Sequence, residues 1–247
     1  MEVHHHPDLH HKKQFKEYLL EFLMIFLAVT LGFFAENIRE GFNDSHKTKQ
    51  FVGSMIRDIE SDTEQLGHIV NNMENKIMEY DTLLSLLDSS GAVRGNDFYY
   101  AFEPTVAYEV YVPDTRTYDE LKSTGALRLF EERNASDTIN EYYEASKFLA
   151  DYTTSTYMKY FDTYHAEAFN LFDYTQIGNN FFRREKLLDP ALHLQLLDDD
   201  KKLKKKVYGK LFALKMVTLQ YLAIATDLKK QGQRCIEFLS KEYNSGR

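Results

Sequence analysis

Apolar positions recur with helical spacing over four long stretches of the chain, and the first differs in kind from the other three. Tyr18 to Ala35 (YLLEFLMIFLAVTLGFFA) is apolar on every face, with Glu21 its only charge. A helix without a polar face belongs in a protein core or a bilayer. Its 18 residues would rise about 27 Å, close to the roughly 30 Å hydrocarbon thickness of a membrane. Lys12, Lys13, Lys16 and Tyr18 on one side, and Glu36, Arg39 and Glu40 on the other, make interfacial flanks. The pattern predicts a single transmembrane helix over 18–35, preceded by a His- and Lys-rich tail over 1–17. The competing reading is a soluble bundle with this stretch as its central helix, since the uncharged run Phe22–Ala35 has only 14 residues. Phe33 stands where a signal-peptidase site would need a small residue, so the segment is expected to be retained.

Three amphipathic stretches follow within 36–247. From about Ser45 to Leu87 the stripe Phe51, Met55, Ile59, Leu66, Ile69, Met73, Ile77, Tyr80, Leu84 and Leu87 advances mostly by threes and fours. That is close to a heptad seam, interrupted at Asp62. Asp44 or Ser45 is the expected N-cap and Ser89-Ser90-Gly91 the stop. A second helix is predicted from about Ser136 to Phe172 through Ile139, Tyr143, Phe148, Tyr152, Tyr157, Phe161, His165 and Phe169. A third follows Asp198-Asp199-Asp200, acidic residues suited to a helix start, and runs to about Tyr243 through Val207, Leu211, Leu214, Val217, Leu222, Leu228, Cys235 and Leu239.

Between the first two helices, residues 91–133 carry Gly91, Gly95, Pro104, Pro113 and Gly125, with Phe98, Tyr99, Tyr100, Val106, Tyr108, Val110, Tyr111 and Val112 among them. This reads as a partly extended connector, then a short helix Thr117–Thr124 closed by a left-handed Gly125, with Thr117 as a cap. The predicted fold is all-α: an N-terminal transmembrane helix and an elongated antiparallel bundle of three long helices. Strict alternation of direction would return Tyr174–Asp200 to the membrane end.

Composition narrows the function. A net charge of −8 argues against a general nucleic-acid binder. The single Cys235 cannot form an intrachain disulfide. No Gly-rich phosphate loop, His-Glu-x-x-His, Cys-x-x-Cys or Gly-x-Ser-x-Gly is present, and the paired Glu-x-x-His of a di-metal bundle is missing. Glu64 with His68 and Asp162 with His165 are the nearest approaches to it, and both suit ordinary surface or interface pairs. The expectation is a protein that is not an enzyme and needs no cofactor. His4, His5, His6, His10 and His11 could together hold a divalent transition metal, which makes metal handling by the tail the alternative function. Lys201, Lys202, Lys204, Lys205 and Lys206, with Lys12, Lys13 and Lys16, are candidates for contact with anionic lipid headgroups.

The start MEVHHHP, the stretch FKEYLLEFLMIFLAVTLGFFAENIRE and the later TYDELKSTGALRLF (Thr117–Phe130) together resemble a Bacteroidota family of single-pass membrane proteins. In that family an N-terminal hydrophobic segment precedes a helical domain of unassigned function. The resemblance implies bacterial origin and membrane location and brings no site residues with it.

Lysines and arginines near the span number three before it and three after it (Arg39, Lys47, Lys49), the former closer to the apolar run. This favours a cytoplasmic N-terminus and a helical domain on the periplasmic side of a bacterial inner membrane. The function expected is a membrane-anchored bundle that senses, scaffolds or binds a protein partner, with a homodimer through the 51–87 seam as one route to assembly.

Overall fold

The computed structural model describes residues 15–133, 135–178, 191 and 193–244, with no account of the side chains at 131–133, 177, 178 and 244. The described chain is all-α. It comprises α1 (Phe15–Leu87), α2 (Gly95–Phe102), α3 (Arg116–Thr124), α4 (Ala135–Tyr152), α5 (Met158–Ala168), α6 (Tyr174–Gly178) and α7 (Lys201–Asn244). Short 3-10 turns occupy Glu103–Val106 and Ala126–Arg133, and a π turn, Thr153–Tyr157, joins α4 to α5. Contacts divide the chain into two units, Met1–Gln50 and Phe51–Arg247.

The apolar N-terminal stretch and the first long amphipathic stretch form one continuous helix, against the expected restart at Asp44 or Ser45. A capping side chain serves amides that lack an upstream turn, and here the preceding turns already supply carbonyls. The Asp44 carbonyl instead accepts the Thr48 hydroxyl at 2.7 Å.

Within the second unit, helix pairing follows the heptad. Val52, Met55, Ile59, Asp62, Leu66, Ile69, Met73, Lys76, Tyr80, Leu83 and Leu87 are all buried, each three or four residues after the last. On α7 the same rhythm runs Val207, Leu211, Leu214, Thr218, Tyr221, Ala225, Leu228, Gly232, Cys235, Leu239. At Gly232 α7 packs tightly against both α1 and α4. A Cβ there would lie 2.6 Å from Thr63 Cγ2 of α1 and 3.1 Å from Tyr142 Cε2 of α4.

The seam of α4 is Ala135, Ile139, Tyr142, Ser146, Leu149 and Thr153, and in α5 it resumes at Tyr157, Phe161, Tyr164 and Ala168. The second set is the continuation of the first moved on by one residue. The π turn absorbs that residue. Its hydroxyls take up carbonyls of the distorted turn, with Thr153 Oγ1 donating to Leu149 O at 2.8 Å and Ser155 Oγ to Asp151 O at 2.6 Å. Phe148 and Phe169, expected in the buried stripe, are 57% and 51% exposed. The small residues Ser146 and Ala168 take the interior positions instead.

Helix direction departs from simple alternation. α7 runs antiparallel to both neighbours: Lys215 reaches Asp81 at 2.5 Å, while Gly232 faces Ile59 and Thr63. α1 and α4–α5, however, run the same way, because Tyr142 bonds Asp62 while Tyr157 faces Tyr80. The chain makes its return between them, in the connector. After α2 and its 3-10 turn, the extended segment 107–115 descends along α1 as a strap, and α3 begins beside Asp58. The architecture is an up-down-up-down bundle in which an extended strap takes the place of one descending helix.

The connector was legible in part. Helix Arg116–Thr124 ends at Gly125 with φ 69°, and the Gly125 amide donates to the Leu121 and Lys122 carbonyls. Thr117 lies inside this helix instead of capping it, bonded to Asp58. Phe98, Tyr99 and Tyr100, expected to be extended, lie in α2, where Phe98, Tyr99, Ala101 and Phe102 form a buried helical face.

Candidate functional site

In the first unit the chemistry is that of an apolar surface. Thirteen large apolar or aromatic side chains between Tyr18 and Phe34 are exposed, from Leu27 at 47% to Phe33 at 74%. None of the most apolar 18-residue window of α1 is buried, and its mean hydropathy is 2.1. At about 1.5–3 kcal/mol per large side chain, hiding this surface from water is worth on the order of 20 kcal/mol. A contiguous patch of this size marks an interaction surface. The hydroxyl inside it is satisfied locally, with Thr30 Oγ1 donating to Phe26 O at 2.7 Å. The far flank opens with a forked ion pair from Arg39 to Glu36. The structure thus contains a helix long and apolar enough to cross a membrane.

In the second unit the polar groups converge on the strap. From α1, Lys76 Nζ donates to the carbonyls of Ala107 (2.6 Å) and Pro104 (3.2 Å), and Asn72 reaches Glu109 at 3.0 Å. Further along, Gln65 accepts the Val112 amide at 2.9 Å, Asp62 the Asp114 amide at 2.8 Å, and Asp58 the Thr117 amide at 3.2 Å. Carbonyls at the start of the strap and just before it therefore meet the Lys76 ammonium, and amides at its end and just after it meet the side-chain oxygens of Gln65, Asp62 and Asp58. The lengths agree. From Lys76 to Asp58 the helix rises about 27 Å, which a fully extended chain covers in about eight residues, within the span from Ala107 to Thr117.

Strap side chains reach across to α4 and α5. Tyr111 Oη and Ser146 Oγ are 2.8 Å apart, Thr105 Oγ1 and Tyr164 Oη 3.0 Å, and the Tyr108 ring meets Phe161 edge-on at 5.1 Å. Burial raises the pKa of the Asp62 carboxyl, opposed by its bonds from the Asp114 amide and the Tyr142 hydroxyl. Burial lowers that of Lys76, opposed by Glu79, Glu109 and Glu103. These charges are engaged in holding chain to chain.

No family model, curated protein or solved structure matches this chain.

The remaining candidates can be placed directly. His4, His5, His6, His10, His11, Lys12 and Lys13 lie outside the described residues, and among the described ones no group of three or more His, Cys, Asp or Glu could hold a metal ion. Glu64 and His68 sit exposed on the outer face of α1. Lys16 is exposed at the start of α1. Lys201–Lys206 open α7 at the end of the second unit where α1 finishes, since Lys204 lies over the Phe98 ring at 5.1 Å. A return along α4–α5 would set these lysines at the opposite end of the unit, but the strap makes the return instead. Lys204 pairs with Asp199, and Lys206 with Glu167 at 2.9 Å. The 51–87 seam that suggested a homodimer is filled by the unit's own helices. Cys235 is buried in the α7 seam with its thiol pushed up to about 12, so it is no nucleophile at neutral pH.

Sequence reasoning missed the clasp that Asp58, Asp62, Gln65, Asn72 and Lys76 of α1 form on the strap. Asp62 read as an interruption of the seam, and Lys76 went unremarked. The available signal was their spacing: Asp58, Asp62, Gln65, Asn72 and Lys76 keep heptad phase on one side of α1.

Proposed function

We propose that this chain is a single-pass membrane protein of the bacterial envelope, anchored by Tyr18–Ala35, whose second unit works without catalysis as a sensing, scaffolding or partner-binding module. The observation that carries the reading is the wholly exposed apolar window of α1. In a bilayer its side chains meet hydrocarbon and its backbone bonds are satisfied within the helix. The lysines ahead of the span, closer to the apolar run than the three basic residues after it, support a cytoplasmic N-terminus and a second unit beyond the inner membrane. Partner binding is supported by apolar residues left on the surface of the second unit. Phe148 borders a groove of about 430 Å³ between α4 and α7, lined also by Ala145, Ala223, Ile224, Asp227 and Gln231.

The test is alkaline carbonate extraction of cells expressing the full chain, with protease added to intact spheroplasts of the same culture. Retention in the pellet and digestion of the second unit from outside are expected. Release into the carbonate supernatant would overturn the anchor, and protection until lysis would reverse the orientation.

A further inference from the structure

His165 is 7% exposed, and both its ring nitrogens are spent on segments outside its own helix. Nε2 lies 3.1 Å from the carbonyl of Thr105, at the head of the strap, and Nδ1 lies 2.5 Å from the hydroxyl of Tyr174 in α6. A carbonyl only accepts, so Nε2 carries the proton of the neutral ring and Nδ1 accepts from Tyr174. One imidazole on α5 thereby fastens two separate pieces of chain.

We propose that His165 is an acid-operated pin, whose protonation frees the head of the strap (Glu103–Ala107) and α6 together while the long helices stay packed. A second ring proton must sit on Nδ1, so the Tyr174 hydroxyl has to turn and accept or leave, while Nε2 still donates to the Thr105 carbonyl. What drives release is the cost of burying the cation. The surroundings offer the cation little. Phe102, Phe161, Phe169, Tyr164 and Tyr174 ring the imidazole. From α1, Lys76 presents a positive charge, bonded to the carbonyls on either side of Thr105. The opposing charge is Asp162, on the same helix as His165. Glu79, Glu103 and Glu109 act on Lys76.

Burial above all, with Lys76 adding to it, lowers the ring's pKa to about 4 from its ordinary 6.5, against the Thr105 hydrogen bond and Asp162. Closure is therefore at full strength above about pH 6.5 and weakens as pH falls toward about 4, the open form gaining about tenfold per pH unit. The far end of the strap depends on other groups, Asp58, Asp62 and Gln65, and Asp62 keeps an oxygen for the Asp114 amide in either protonation state.

Amide hydrogen exchange on the full chain in detergent, stepped from about pH 7 to about pH 4.5 and corrected for intrinsic rates, tests the pin. Protection at Thr105–Ala107 and in α6 is expected to fall together, about tenfold per unit, while Leu211–Leu228 keeps its protection. His165→Gln, which cannot gain the charge, should lack that pH dependence. Constant protection, loss in only one of the two segments, or the same profile in the variant would overturn the proposal. If the variant does not fold, the wild type decides by NMR: backbone signals of Thr105–Ala107 and of α6 changing with the same midpoint as the carbon-bound ring protons of His165 support the pin, and ring titration without change in either segment refutes it.

Discussion

Among the described residues two stretches are apolar enough to cross a bilayer, and the structure treats them oppositely. The richest window of α1 has mean hydropathy 2.1 and none of it is buried, whereas that of α7 has 1.3 and is 39% buried. The contrast lies in where the apolar residues point. On α7 the buried set repeats as a heptad, and Lys210, Lys215 and Gln220 separate its members. On α1 Leu19, Leu20, Phe22, Leu23, Met24 and Ile25, interrupted by Glu21 alone, cover the full circumference. Angular distribution, more than mean hydropathy, separates a core helix from a candidate span.

The contrast can be broken most sharply in the α7 seam. Leu211→Ala, at a fully buried position, should destabilise the second unit by about 2–5 kcal/mol in denaturant unfolding, while Leu27→Ala should leave that transition unmoved. The converse substitution is Leu27→Arg. It should cost membrane integration about 2.5–3.5 kcal/mol, read as the fraction lost to the carbonate supernatant, with the unfolding of the second unit unchanged. Asp62→Ala tests the clasp. It strips the Asp114 amide and the Tyr142 hydroxyl of their acceptor, for an expected loss of about 1–3 kcal/mol and faster exchange at Asp114. The smallest effect is expected from Tyr152→Phe, which removes a 3.1 Å bond to Gln220 across the α4–α7 interface and should cost about 0.5–1.5 kcal/mol.

Apolar periodicity made the long helices legible, and Gly125 announced the turn after α3. The rest needed information that is not local. The strap makes its backbone bonds to side chains distant in sequence, as Val112 does to Gln65, so no neighbouring residue signals it. Helix direction was misread for the same reason, because the connector, expected to be partly extended at one end of the bundle, runs along α1 and carries the return. In the second long helix the large aromatics Phe148 and Phe169 drew the stripe toward themselves, although Ser146 and Ala168 occupy the interior. The anchor candidate was plain from its sequence because nothing tertiary is needed to define it. The His165 pin was out of reach, since Thr105 and Tyr174 become its neighbours only once the strap and α6 are in place.

The π turn has a consequence for how this chain tolerates changes in length. Its surplus residue explains why the interior positions of α5 sit one place later than those of α4 would dictate. Removing Ser155 should convert the junction into ordinary α-helix and leave every downstream contact, His165 among them, on its present side. Removing Glu144 instead would turn the segment between it and the junction by about 100° and carry Ser146 and Leu149 out of the interior. The junction is where a family of such chains could gain or lose a residue without redesigning the bundle.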